Sequence, residues 1–227
     1  MTEQDKVAFG DYVDFFNDIM QMAPEARITA YLTKINNNPV LVTHAKKAGM
    51  SHISVFAKNP YNNDNIESIS YVRATIDNQH CCYVSSFWTH RDFQRQGYGT
   101  FLMDILKCES KKRGMDNIHG QIGIFDEIAD IPEDLVEQEE DVFLAQHKVL
   151  INIYKKLGFD IIDRSYSFED QTTGETLREE AYEFEAKVAE LPNVPQTYPD
   201  GFMETTINAG KLIPHPISKT SKPTPVQ

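Results

Sequence analysis

The chain has 227 residues, of which 41% are hydrophobic and 25% charged, with a formal net charge of −12. It is long enough to bury a substantial core, and its composition is ordinary for a soluble globular protein. The start, MTEQDKVAFG, lacks a basic flank followed by an apolar block, and no apolar run approaches the roughly 20 residues that cross a bilayer, so a soluble, intracellular, cytoplasmic protein without a membrane partner is expected.

In residues 1–50, Tyr12, Phe15, Phe16, Ile19 and Met22 recur at helical spacing. The run ITAYL that follows is too short for its period to separate strand from helix. This zone is expected to be an N-terminal helical elaboration packed on the core. From residue 51 the period changes. HISVFAK, ESISYVRATI and CCYVSSFW are short runs rich in β-branched and aromatic residues, separated by turn chemistry in NPYNNDN and DNQH. They read as an antiparallel meander. Phe101, Leu102, Ile105 and Leu106 then form one face of a helix, with Lys111, Lys112 and Arg113 in its last turn and Gly114 as its C-terminal stop.

NIHGQIGIF reads as a strand, and a stretch without any Lys or Arg runs from Gly114 to His147. Within it, residues 126 to 141 hold nine acids in sixteen residues, which marks an acidic insertion over 124–142. Such a field disfavours nucleic acid and favours cationic partners. A second helix carries Phe143, His147, Leu150, Tyr154 and Leu157 on one face and stops at Gly158. FDIIDRSYSFE and EAYEFEAKV read as strands joined by DQTTGET. Seven prolines fall between Pro192 and Pro225, so residues 191–227 are expected to be a Pro-rich extended tail. The strand–helix–strand unit over 81–123 implies a right-handed parallel crossover. The expected class is therefore α/β or α+β, with a mixed, mostly antiparallel sheet flanked by helices. The three cysteines, Cys81, Cys82 and Cys108, have neither CxxC spacing nor an even count, so reduced thiols are expected and no metal site.

The stretch FQRQGYGTFLMDILK places Gly97 and Gly99 between a strand end and a helix start. The first turn of a helix has unpaired N–H groups and the positive end of the dipole, so it suits a phosphate. A Rossmann fingerprint requires a third Gly, but position 102 is Leu, and no Gly-Lys-Ser/Thr follows as in a P-loop. FWTHRDFQRQGYGTFLMDIL resembles the acetyl-CoA signature of the GNAT superfamily of N-acetyltransferases, with Gln94, Gly97 and Gly99 in its fixed positions. HKVLINIYKKLGFDII resembles that family's later helix, with Tyr154, Leu157, Gly158 and Phe159 matching. The resemblance covers residues 51–190 as a GNAT-like domain.

The resemblance implies acetyl-CoA as acyl donor. Its pantetheine arm would lie along Phe87 and Thr89, and its pyrophosphate on the backbone N–H groups of Arg95, Gln96, Gly97, Tyr98, Gly99 and Thr100, with Gln94 a further cofactor-binding residue. Tyr154 is similar to the family's general acid, which protonates the leaving thiolate. Seven residues before this Tyr the family often has Asn, where this chain has His147, which also hydrogen-bonds. The acceptor amine must lose a proton, and His119, Asp126 and Glu127 are the candidate bases. A cationic amine is the expected acceptor, as a polyamine, a Lys side chain or an aminoglycoside. A homodimer is compatible with the sequence. A CoA-binding module of the same fold without turnover is the alternative reading.

Overall fold

The structure is a computed structural model. It describes residues 3–22, 28–47, 49–76, 80–123, 142–172, 174, 176–179, 181–191, 203–208 and 211–216. Among the described residues the helices are α1 (Glu3–Met22), α2 (Tyr98–Lys112) and α3 (Val142–Lys156). The strands are β1 (Ile28–Ile35), β2 (Asn38–Lys47), β3 (Met50–Asn59), β4 (Asn65–Ile76), β5 (Cys81–Thr89), β6 (Asn117–Ile122), β7 (Asp160–Asp163), β8 (Tyr166–Glu169), β9 (Thr176–Glu179), β10 (Tyr182–Lys187), β11 (Met203–Asn208) and β12 (Lys211–Pro216). Ten of them form one sheet in the order β12-β11-β1-β2-β3-β4-β5-β6-β10-β7, and β8 and β9 form a separate hairpin. Among the described residues only β5 and β6 run parallel, joined by the α2 crossover. The mixed, mostly antiparallel sheet is the one expected.

Two expectations are corrected. Residues 28–47 are not helical: they form β1 and β2, paired antiparallel from Ile28↔Ala45 to Ile35↔Asn38. The reason is the turn. Asn36 and Asn37 adopt φ of 50° and 66°, the left-handed pair that a tight hairpin requires and that Asn accepts best after Gly. Within 191–227, residues 203–208 and 211–216 are strands and not a free tail. METTIN is β-prone, and β11 pairs with β1, covering an edge that would otherwise lie open. Pro214 and Pro216 are tolerated because β12 is itself an edge strand. The acidic insertion 124–142 lies outside the described residues up to Asp141.

Antiparallel partners share a sheet face, so the register Ala30↔Thr43↔Ser54↔Tyr71↔Trp88 traces one face across five strands. On that face α1 buries Phe9, Tyr12 and Phe16 against Ala30, Leu32 and Leu41. Each such aromatic contributes about 1.5–3 kcal/mol by burial. The Tyr12 hydroxyl fixes the helix in place by donating to Pro39 O at 2.8 Å and accepting from Lys58 N at 3.1 Å. The opposite face carries the main core, where Val72, Ala74 and Val84 pack with Leu102, Met103, Ile105 and Leu106 of α2 and with Tyr154 and Leu157. A buried Lys107 on α2 donates to Leu157 O at 2.7 Å, which places a cation at the C-terminal end of α3 and ties the two helices together. Cys82 and Cys108 are buried, Cys81 is half-buried, and none of the three forms a disulfide among the described residues. Among the described residues no helix is long and apolar enough to cross a membrane.

Candidate active site

The site begins with a register fault. β4 and β5 pair Arg73 with Ser86 but Ala74 with Val84, so Ser85 is an extra residue in β5. A bulge sharpens the local twist and bends its strand. The bend falls where β5 leaves β6: the parallel ladder runs from Cys81↔Asn117 to Val84↔Gly120 and stops. Beyond Val84, β5 pairs with β4 alone among the described residues. The wedge between β5 and β6 therefore exposes backbone groups of residues 85–89 on one side.

A cavity of about 340 Å³ fills this wedge. On the α2 side it is lined by Gln94, Arg95, Gly97, Tyr98, Gly99 and Thr100, and on the α3 side by Leu150, Ile153 and Tyr154. It also reaches Tyr71, Ser86, Trp88, Gln121 and Gly123. Tyr71 and Trp88 belong to the α1 face of the sheet, so the cavity passes through the sheet at the splay. Their rings lie 5.6 Å apart, and the Arg73 guanidinium stands 5.2 Å from the Tyr71 ring.

Phe93 and Gln94 lead into α2 through two left-handed residues, Arg95 at φ 59° and Gly97 at φ 84°. Gly97 is the N-cap and offers no side chain to the helix, and no acid occupies the first turn. The first intrahelical bond is Phe101 N to Gly97 O at 3.0 Å, so the N–H groups before it are open to an anion. The two glycines serve different ends. Gly97 provides the backbone angle; a Cβ there would meet nothing nearer than Asn36 Nδ2 at 3.8 Å. A Cβ on Gly99 would lie 2.9 Å from Phe87 Cζ and 3.4 Å from Thr89 Oγ1, so Gly99 lets the helix sit against β5. Gln94 closes the same loop by donating from Nε2 to Thr89 O at 3.2 Å. Gln96 is the one residue of the expected anion loop that does not line the cavity.

Tyr154 is buried, with its ring stacked on Phe184 at 4.1 Å and edge-on to Phe87 at 6.2 Å. Burial pushes its phenol well above the ordinary range, so it stays protonated through neutral pH and is a proton donor rather than a base. Phe184 and Gly120 were not singled out from sequence, although a lone Gly inside a strand pattern signals close approach. A Cβ on Gly120 would fall 2.6 Å from Phe184 Cζ and 2.7 Å from Val84 O. Gly120→Ala should therefore push Phe184 into Tyr154 and destabilise the fold by about 1–3 kcal/mol, as overpacking does. Chemical denaturation checks this, and an unchanged midpoint would mean that the ring relocates freely.

The candidate bases separate. His119 lies against Tyr83, ring centroids 5.3 Å apart, on the closed part of the ladder, and does not line the cavity. Spacing alone could not show that it sits too far back along β6. Asp126 and Glu127 lie outside the described residues. His147 is buried with its ring 5.5 Å from Tyr182, packed against β10. None of the described lining residues is an acid or a histidine.

An uncapped helix N-terminus, a strand segment unpaired toward β6 and a buried phenol meet in one cavity. A family model described as Acetyltransferase (GNAT) domain matches residues 52–161, which run from β3 through α3 into β7. The match is to a GNAT acetyltransferase domain over just under half of the chain, and it supports an N-acetyltransferase that uses acetyl-CoA as acyl donor. Similar solved structures include the ribosomal-protein-S18-alanine N-acetyltransferase from Escherichia coli, at 16% identity and a TM-score of 0.40, over 63% of this chain and 72% of that one. PaiA N-acetyltransferase from Thermoplasma acidophilum, in complex with coenzyme A, aligns at 14% identity and a TM-score of 0.39, over 61% of each chain. NAA60 from Arabidopsis thaliana, in complex with a bisubstrate analogue, aligns at 11% identity and a TM-score of 0.40, over 62% of this chain and 76% of that one. No curated protein matches the sequence.

Proposed function

We propose that the protein moves the acetyl group of acetyl-CoA directly onto a cationic primary amine, with Tyr154 as general acid. The observation that carries this reading is the cavity that runs through the splay, from the open N-terminus of α2 past Tyr154 to Tyr71 and Trp88 on the other face. Pantetheine lies along residues 85–89, Phe87 and Thr89 among them, and the pyrophosphate sits over residues 95–100. The amine enters from the Tyr71 side. A base first takes a proton from the ammonium, the freed lone pair attacks the thioester carbonyl carbon, the C–S bond breaks as Tyr154 hands its proton to the departing sulfur, and the surplus N–H proton of the new amide returns to the phenolate. A buried phenol is a weaker acid than a free one, but the thiolate beside it is desolvated too, so both shift upward and the transfer stays matched.

The base comes from the acids just beyond Gly123, Asp126 or Glu127. Both follow closely in sequence on Gly123, which lines the cavity. The net charge of −12 supports a cationic acceptor by concentrating amines near the protein. The test is a thiol-release assay with acetyl-CoA and a panel of a polyamine, a Lys peptide, an aminoglycoside and neutral amines. Cationic acceptors should lead, with a KM that rises with salt because exposed charges are screened over about 8 Å at physiological strength. Asp126→Asn or Glu127→Gln should lower kcat most at neutral pH and recover toward alkaline pH, where free amine is abundant. Turnover with neutral amines alone would overturn the acceptor class, and no thiol release with any amine would leave a CoA-binding module.

A further inference from the structure

The anion loop is braced from outside the matched domain. Gln96 sits between two left-handed residues, Arg95 and Gly97, in no regular element. Its side chain donates to Asp92 O at 3.0 Å, which holds one end of the residue. Its carbonyl accepts from Asn36 Nδ2 at 2.5 Å, although Asn36 lies sixty positions upstream in the β1–β2 turn. Neither Gln96 nor Asn36 lines the cavity, whereas Gly97 does. In a planar trans peptide the C=O and N–H point in opposite directions. Holding the Gln96 carbonyl outward therefore turns the Gly97 N–H inward. The reverse orientation would aim a carbonyl oxygen, the negative end of the peptide dipole, at the place where an anion must sit.

We propose that Asn36 is a positioning residue of the cofactor site: its amide fixes the 96–97 peptide so that the Gly97 N–H joins the first-turn N–H groups facing the pyrophosphate. The inference rests on the reading that acetyl-CoA fills this cavity. The turn that carries Asn36 is built for this placement, since Asn36 and Asn37 are both left-handed and hold the amide at the tip of the hairpin. The hydrogen bond is exposed, so its contribution is that of one ordinary bond.

Asn36→Gly keeps the turn, because Gly adopts its φ of 50° without strain, and removes only the amide. Asn37→Gly loosens the same turn without touching Gln96 and serves as control. Calorimetry on the full chain should show acetyl-CoA bound about three- to tenfold more weakly by Asn36→Gly, which is the loss of one net hydrogen bond. Asn37→Gly should bind it as the wild type does. S-acetylpantetheine, which has no pyrophosphate, should not distinguish the two variants from wild type. Equal weakening by both variants, or equal weakening toward both donors, would reduce Asn36 to a turn residue and overturn the proposal. A wild type that binds no acetyl-CoA would instead overturn the underlying reading, and this inference with it.

Discussion

Tyr154→Phe should lower kcat by roughly 10²–10⁴-fold, the usual contribution of a positioned general acid, and leave the acetyl-CoA dissociation constant nearly unchanged. The two halves of this expectation have separate causes. The ring provides packing: it stacks on Phe184 and meets Phe87 and Phe159 edge-on, and Phe retains all three contacts. The hydroxyl provides the proton. Pre-steady-state kinetics, with the chemical step isolated, is the measurement. A kcat equal to wild type under those conditions would make Tyr154 a core residue and send the search for the acid elsewhere along the wedge.

Gly99→Val should abolish measurable acetyl-CoA binding, with a dissociation constant above about 1 mM. The Cβ position at 99 is already 2.9 Å from the Phe87 ring, and the two Val methyl groups extend further. Phe87 would swing toward Tyr154 or α2 would lift from β5, and either movement closes or distorts the cavity that Phe87, Gly99 and Tyr154 share. Overpacking of this kind costs about 1–3 kcal/mol, and each kcal/mol lowers Tm by about 2–4 °C in a chain of this size. Calorimetry and a thermal melt test the two effects together. Wild-type affinity in the variant would show that the strand and helix can separate without harm to the site.

The parts of the fold visible in the sequence are those whose cause is local. β3, β4 and β5 alternate or carry dense turn residues between them, and α2 and α3 show both periodicity and a Gly stop. β1 and β2 escaped because they are central strands: Ala30 to Thr33 and Val40 to His44 are buried without interruption, which erases the period-2 signal of a half-exposed strand. β11 became a strand only because β1 offered it an edge. In the site, Gly97, Gly99 and Tyr154 were legible as positions. Their reasons were only partly so, since the demand on Gly99 comes from Phe87 and Thr89, which no spacing rule connects to it. Phe184 under Tyr154, Gly120 under Phe184 and Asn36 beside Gln96 depend on contacts between residues distant in sequence.

The short parallel ladder makes the main sheet mechanically uneven. Every other neighbour pair in it is antiparallel, so the sheet is two stiff plates, β12 to β5 and β6 to β7, sewn by one seam from Cys81 to Val84. The helices reinforce the seam from one face, through the Lys107 bond to Leu157 O. On the proposed reading, a donor lying in the wedge would take the place of the missing stitches beyond Val84 and grip both plates at once. Its binding energy is then also cohesion between the plates, by RT ln(1 + [L]/Kd) for a ligand that binds only the folded chain. The loaded enzyme would then be the stiffer object, and release of CoA would return the seam to its four residue pairs.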